Sequence, residues 1–121
     1  MQTISHLSVL IHEQAKKHGT KAAITFRNFG SLEWRSVSWN QFSMRIKEVS
    51  NALLNLGMKP QETIAVFSQN CIHHLYTEFG AYGVRVISIP FYATSSEQQI
   101  QYMIQDASVR FLFVGEQEQY D

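Results

Sequence analysis

Phe42, Ile46, Val49, Leu53 and Leu56 recur along the chain at steps of four, three, four and three. At 3.6 residues per turn that spacing puts all five on one face of a helix. Ser38, with Gln41 three positions later, has the sequence of a capping box at the start of this helix. Gly57 suits the left-handed residue just past a helix end, and Pro60 cannot continue the turn. Upstream, Leu7, Leu10, Ile11, Gln14 and Ala15 recur at helical spacing, with Gly19 placed to close that helix. Between the two, segments 22–29 and 32–39 are rich in aromatic and β-branched residues. They flank Asn28, Phe29, Gly30 and Ser31, which predicts a β-hairpin.

From residue 63 the pattern changes to short apolar runs alternating with helical stretches. Segments 63–67 (TIAVF), 84–89 (VRVISI) and 109–114 (VRFLFV) predict strands. Asn70 is placed to cap a helix over 71–82. Ser96 with Gln99 would cap a second helix, with Ile100, Met103, Ile104 and Ala107 on its buried side. Strand, helix, strand, helix, strand implies two right-handed crossovers and a parallel sheet. The expected fold is therefore α/β: a partial parallel sheet with flanking helices, preceded by an N-terminal helix and a β-hairpin. Segment 115–121 (GEQEQYD) is polar, and it follows a strand where such a fold would enter its next helix. Three parallel strands also make a narrow sheet. The expectation is a single subdomain over 1–121, cut from a longer protein.

Composition narrows the function classes. Hydrophobic residues make up 45% and charged residues 17% of 121 residues, as in a folded domain with one core. Ten basic side chains balance ten acidic ones, so no long-range field exists to attract nucleic acid or an anionic membrane. A single cysteine, Cys71, excludes an internal disulfide framework and suits a reducing compartment. Met1 to His6 lack the basic and apolar regions of a secretion signal, and no apolar run is long enough to span a bilayer. A cytoplasmic location is expected.

Motif chemistry is mostly negative. Neither G-x-x-x-x-G-K-[ST] nor G-x-G-x-x-G occurs, so both standard phosphate cradles are missing from these residues. Asp106 and Asp121 are the only aspartates, too few for a phosphoacceptor cluster at strand ends. His73 and His74, near Cys71 and Glu78, invite a metal reading, but adjacent helical residues point about 100° apart and cannot chelate one ion as an i, i+4 pair does. Ordinary helix-surface positions explain them, and no metal ligand is assigned. Cys71 has no base or oxyanion hole beside it in sequence and reads as a small buried thiol. Trp34, Trp39, Phe42, Tyr76, Phe79 and Tyr82 fit core packing, since no basic groove accompanies them.

The segment 90–96 (PFYATSS) is the candidate functional loop. It follows a predicted strand and ends at a helix N-terminus, where open α/β sheets bind ligands. Phe91 and Tyr92 look exposed there beside three hydroxyls. The alternative is structural: Pro90 ends the strand, Ser96 caps the helix and the aromatics pack on a neighbour.

The order of these segments resembles the adenylate-forming superfamily. Val37 to Phe42 resembles its first core motif, a Thr/Ser-Tyr/Trp-x-x-Phe/Leu segment opening a long helix. Residues 52–60 look like its Ala-x-x-Leu-x-x-x-Gly-Val-x-x-Gly segment, and 64–70 match its strand followed by Asn. Residues 80–90 resemble the second core motif, a Gly followed by a hydrophobic strand and Pro. Gln61-Glu62 stands where the family has Gly-Asp, which alters a turn. The stretch from Pro90 to Tyr102 is most similar to bacterial long-chain fatty acid–CoA ligases.

This resemblance implies the N-terminal part of the acetyl-CoA synthetase-like fold. It implies a parent enzyme that converts a fatty acid and ATP to an acyl adenylate and pyrophosphate, then to acyl-CoA by attack of coenzyme A. ATP, Mg²⁺ and coenzyme A would serve that parent, and none is expected to bind tightly to these residues alone. The family's phosphate loop, adenine-binding segment and catalytic lysine lie downstream, so no residue here is assigned a catalytic role. Pro90, Phe91 and Tyr92 correspond by position to a loop near coenzyme A in related acetyl-CoA synthetases, which carry Phe-Gly-Gly there. Peripheral membrane contact of the parent and self-association through an exposed sheet edge and face are further expectations. The alternatives are a free-standing binding module on this half-fold, or a ligase relative acting on another carboxylate.

Overall fold

A computed structural model describes residues 6–27 and 30–115. Its elements are α1 (Leu7–His18), β1 (Ala22–Phe26), β2 (Arg35–Ser38), α2 (Trp39–Asn55), β3 (Thr63–Phe67), α3 (Ile72–Gly83), β4 (Ile87–Phe91), α4 (Glu97–Asp106) and β5 (Val109–Val114). The fold is α/β as the pattern implies, with β1 and β2 antiparallel and β4-β3-β5 parallel.

The local signals act as their chemistry requires. Ser38 Oγ accepts from Gln41 N–H while the Gln41 side chain accepts from Ser38 N–H, which fixes the start of α2. At the other end Gly57 takes φ 81°. Its N–H donates to Leu54 O, and Met58 N–H donates to Leu53 O, a Schellman closure that folds buried Met58 back onto buried Leu53. Leu56, expected on the apolar face, is instead the C-cap residue and half exposed, because the chain leaves the helical path there. The hairpin strands are shorter than expected, their ladder ending at Phe26 opposite Arg35. Of the predicted turn, residues 28 and 29 lie outside the described residues, as do 116–121.

β3 is the central strand and is buried along its whole length. Its side chains alternate between two cores. Ile64 meets Leu53, Met58, Ala81 and Val86 under α2 and α3. Ala65 and Phe67 meet Phe91 and Ile100 on the opposite face, under α4. A third cluster joins α1 to the same helical layer through Ile11, Phe42, Ile46, Ile72 and Tyr76. Fully buried Ile46, Leu53 and Ile64 each contribute about 1.5–3 kcal/mol of transfer free energy.

The second strand of the sheet departs from expectation. Segment 84–89 was the apolar run, but β4 begins at Ile87. Val84 is the C-cap of α3, Arg85 adopts a left-handed φ of 62°, and Val86 turns under the helix with its N–H on Ala81 O. Pairing of Thr63 with Ile87 sets the register and carries the strand on through Pro90 and Phe91. Proline is tolerated because β4 is an edge strand. The cap of α3 is Cys71, not Asn70, and it makes no side-chain cap hydrogen bond.

The turn before β3 is tied to β5. Gln61 holds φ 71°, a conformation that costs a side-chain-bearing residue about 1–2 kcal/mol. Beside it Glu62 accepts from Lys59 N–H at 3.1 Å and from the Arg110 guanidinium, which also donates to Gly57 O at 3.0 Å. The Arg110 hydrogen bond, ahead of the Lys59 N–H, holds the Glu62 carboxyl below the usual carboxylate range.

Candidate functional site

From β3 the chain crosses through α3 to β4 on one side, and from β4 it returns through α4 to β5 on the other side. The carboxyl ends of β3 and β5 are therefore a topological switch point, where open α/β sheets leave a crevice for ligands. A crevice of about 970 Å³ opens there. Val66, Ile72 and Phe113 form an apolar floor, β1 contributes Ile24 and Phe26 as a wall, and Arg27, Asn70 and His73 stand among the polar rim residues.

The strand ends are pressed together at its base. Gly115 N–H donates to Phe67 O at 3.0 Å, and a Cβ on Gly115 would lie 2.4 Å from Ser68 Cβ. Only glycine allows that approach. Ser68 is buried and donates its hydroxyl to Gln69 O.

The chemistry of the rim is limited. Cys71 is exposed, where the sequence suggested a buried thiol, because it sits at the open start of α3. The His73 ring lies edge-on to Tyr76 at 5.9 Å, and Glu78 accepts from the Tyr82 hydroxyl at 2.7 Å. Burial first, then the Glu78 hydrogen bond, pushes Tyr82 up to about 12. Among the described residues no group of three His, Cys, Asp or Glu side chains could hold a metal ion. Among the described residues, no helix is long and apolar enough to cross a membrane.

The predicted loop divides. Pro90 and Phe91 belong to β4, opposite Val66 and Phe67. Phe91 is not exposed: at 3% accessibility it is a core residue packed on Ala65, Phe67 and Ile100. Of the two aromatic residues, Tyr92 presents its side chain to solvent, at 84%, and Pro90 is exposed beside it on the edge strand. It opens a turn in which Ser95 N–H reaches Tyr92 O at 2.9 Å, and Ser96 then forms the expected capping box with Gln99. Tyr92 and the crevice both lie at the carboxyl end of the sheet. The crevice itself escaped sequence reading, since β1, β3, α3 and β5 each supply part of it. The one local hint was the run of polar residues 68–71 straight after a strand.

The chain resembles known proteins along nearly its whole length. The family described as AMP-binding enzyme matches residues 11–121. A long-chain-fatty-acid–CoA ligase of Mus musculus is 24% identical over 110 residues, covering 91% of this chain and 16% of that protein. The chain thus spans about a sixth of the length of that relative. Among solved structures, fatty acid AMP ligase from Legionella pneumophila superposes with a TM-score of 0.82 at 16% identity, over 93% of this chain and 20% of that one. O-succinylbenzoate coenzyme A synthetase from Bacillus subtilis, in complex with AMP, gives 0.77 at 15% identity, over 91% and 28%. Such likenesses show a shared fold across enzymes named for different acids. With its parallel sheet, its helical layers and the family match over residues 11–121, this chain belongs to the AMP-binding enzyme family.

Proposed function

We propose that residues 1–121 form the N-terminal subdomain of a larger AMP-forming acyl-CoA ligase that acts on long-chain fatty acids. In this reading a fatty carboxylate attacks the α-phosphate of ATP, releasing pyrophosphate and leaving an acyl adenylate. The thiol of coenzyme A then displaces AMP to give the thioester. The groups that cradle phosphate, bind adenine and stabilise developing charge belong to later parts of the protein, as does any Mg²⁺ that screens the phosphates. The part of this subdomain is positional: a rigid sheet whose carboxyl ends wall the reaction region. The observation that carries the reading is the family match across residues 11–121. The fatty acid as substrate is drawn from the relatives' names.

The test is ATP-dependent pyrophosphate release with a series of fatty acids, run on this chain and on a longer protein containing it. Activity confined to the longer protein, highest with long acyl chains, is the expected result. Silence from both with every fatty acid would refute the ligase reading, and activity on a different carboxylate would refute the substrate. For coenzyme A we assign the contact to the Pro90–Tyr92 region, now through Tyr92 because Phe91 is buried. Tyr92→Ala in the active protein should raise the KM for coenzyme A by about fivefold, the loss of roughly 1 kcal/mol of ring contact. Unchanged kinetics would remove that assignment.

Self-association belongs to the same proposal. β4 and β5 are sheet edges, and Ile87 and Leu112 are 44% and 36% exposed on them. Sedimentation velocity should show mass rising with concentration; a monomer at all concentrations would contradict it.

A further inference from the structure

Helix α1 is held in two different ways along its length. At its C-terminal end Gly19, at φ 46°, turns the chain back, and Asn40 N–H in the first turn of α2 donates to Gly19 O at 3.0 Å. Beside it Trp39 N–H donates to Lys21 O at 3.0 Å, and the His18 ring sits 5.9 Å from the Trp39 ring. Nearer the N-terminus the hold is lighter. Ile11 and Ala15 are the buried residues of α1, and His12 between them hydrogen-bonds Ser43 of α2 at 2.6 Å. Ser43 is itself buried, at 7% accessibility. The Gly19 end is thus built as a hinge, and the His12 turn as a catch.

His12 is poorly placed to carry charge. A neutral imidazole can accept at Nδ1 from the Ser43 hydroxyl, whereas an imidazolium donates from both nitrogens, so the buried hydroxyl would have to reverse. The charged groups acting on the ring are Lys47 on α2 and Lys16 on α1, against Glu13, which pairs with Lys16 at 3.1 Å. α3 also packs on α1 and brings Tyr76 into the cluster around Ile11. Burial raises that phenol above its ordinary 10, so it stays neutral at and below neutral pH. Burial first, then Lys47, holds His12 below the ordinary 6.5. With the folded value below the unfolded one, the catch is fully engaged above pH 6.5 and is lost as pH falls through the folded pKa.

We propose that α1 is a pH-operated latch: a proton on His12 releases α1 from α2 and α3 about the Gly19 hinge, while α2 and the parallel sheet stay folded. Undocking carries the imidazolium into water and away from Lys47. A helix with two buried side chains belongs among the segments that open well below the free energy of global unfolding. Its release uncovers Phe42, Ile46, Ile72 and Tyr76, which share a cluster with Ile11. Ile72 is also part of the crevice floor, and β1, which follows the same hinge, supplies Ile24 and Phe26 as the crevice wall. Acid therefore loosens one side of the crevice, and neutral pH closes it. The inference stands on the contact between α1 and α2 and does not depend on the ligase reading.

The experiment is amide hydrogen exchange of the chain, read by mass spectrometry between pH 7 and pH 5 and corrected for the intrinsic pH dependence of exchange. Protection across residues 7–18 should fall by about threefold or more, no more steeply than about tenfold per pH unit, the limit for uptake of one proton. Residues 39–55 and 63–67 should keep their protection. His12→Gln retains a side chain able to hydrogen-bond Ser43 but unable to titrate there, so its α1 protection should be flat with pH. Lys47→Gln, at an exposed position, lowers the repulsion felt by a charged ring in the docked state and should shrink the response. Circular dichroism at each pH checks that both variants are folded. Protection of α1 that ignores pH, or that falls together with α2 and β3, would overturn the proposal. So would an undiminished response in either folded variant.

Discussion

Gly80 lies at a close approach of α3 to α2, and replacing it by alanine tests the packing directly. A Cβ there would stand 2.5 Å from Val49 Cγ1, 2.6 Å from Val49 Cβ and 3.2 Å from Ile46 O. Carbon pairs relax only at about 3.5–4.0 Å, so the helices must part by roughly 1 Å. Val49 cannot swing away, since a β-branched side chain in a helix holds essentially one rotamer. Parting the helices loosens the ring contacts of Phe42 with Tyr76 and Phe79, and it stretches the 2.7 Å donation from Ser50 Oγ to Gly80 O. Overpacking of this kind costs about 1–3 kcal/mol, and the higher helix propensity of alanine offsets about 1 kcal/mol of it. A net loss of up to about 2 kcal/mol follows, lowering Tm by up to roughly 10 °C for a domain of this size. In urea the midpoint should fall with the slope unchanged. Val49→Gly removes the opposing atoms, so the Gly80→Ala cost should shrink in that background by about 1 kcal/mol or more. A raised midpoint for Gly80→Ala, or strict additivity of the two changes, would refute the close-approach reasoning.

Three other outcomes are expected. Ser96→Ala removes the capping box of α4 and should cost about 1 kcal/mol, seen as faster amide exchange in the first turn of that helix. Gln61→Gly relieves the φ of 71°, and after the entropy penalty of glycine it should stabilise by about 0.5–1 kcal/mol, read from the urea midpoint. The third concerns His12, which hydrogen-bonds Ser43 at 2.6 Å between α1 and α2. Burial first, then the charges of Lys47 and Lys16 outweighing Glu13, hold its pKa below the ordinary 6.5. With the folded value below the unfolded one, its contribution is complete above pH 6.5 and is lost as pH falls through the folded pKa. The urea midpoint should therefore drop between pH 7 and pH 5 more steeply in the parent than in His12→Gln, and parallel slopes would exclude this account.

What the sequence disclosed was whatever short-range chemistry decides. Both Ser-x-x-Gln caps and the Gly57 closure involve residues a few positions apart, and all three formed as written. The family motifs around Gly80 were legible, while the reason for the glycine was not, because Val49 lies 31 positions earlier on another helix. β4 was misplaced for a related reason. Val84 and Val86 are apolar because α3 needs covering at its exit, and only pairing with β3 reveals that the strand begins at Ile87. That shift put Phe91, expected to be exposed, into the core, packed against Ile100 of α4. Gln61, noted as a departure from a family glycine, proved to occupy a left-handed position, which is why glycine is the usual choice there.

The central position of β3 bears on how the chain is made. Both neighbours of β3 follow it in sequence, with Thr63 pairing Ile87 and then Val109, 46 positions downstream. At about 5–20 residues per second of synthesis, the apolar segment TIAVF waits roughly 2–9 s for its second partner to be translated. The α2 face can shelter one side early, through Leu53 and Met58. The Ala65 and Phe67 side stays open until Phe91 and Ile100 arrive. During translation, that side of one strand is open apolar surface, the kind on which nascent chains aggregate.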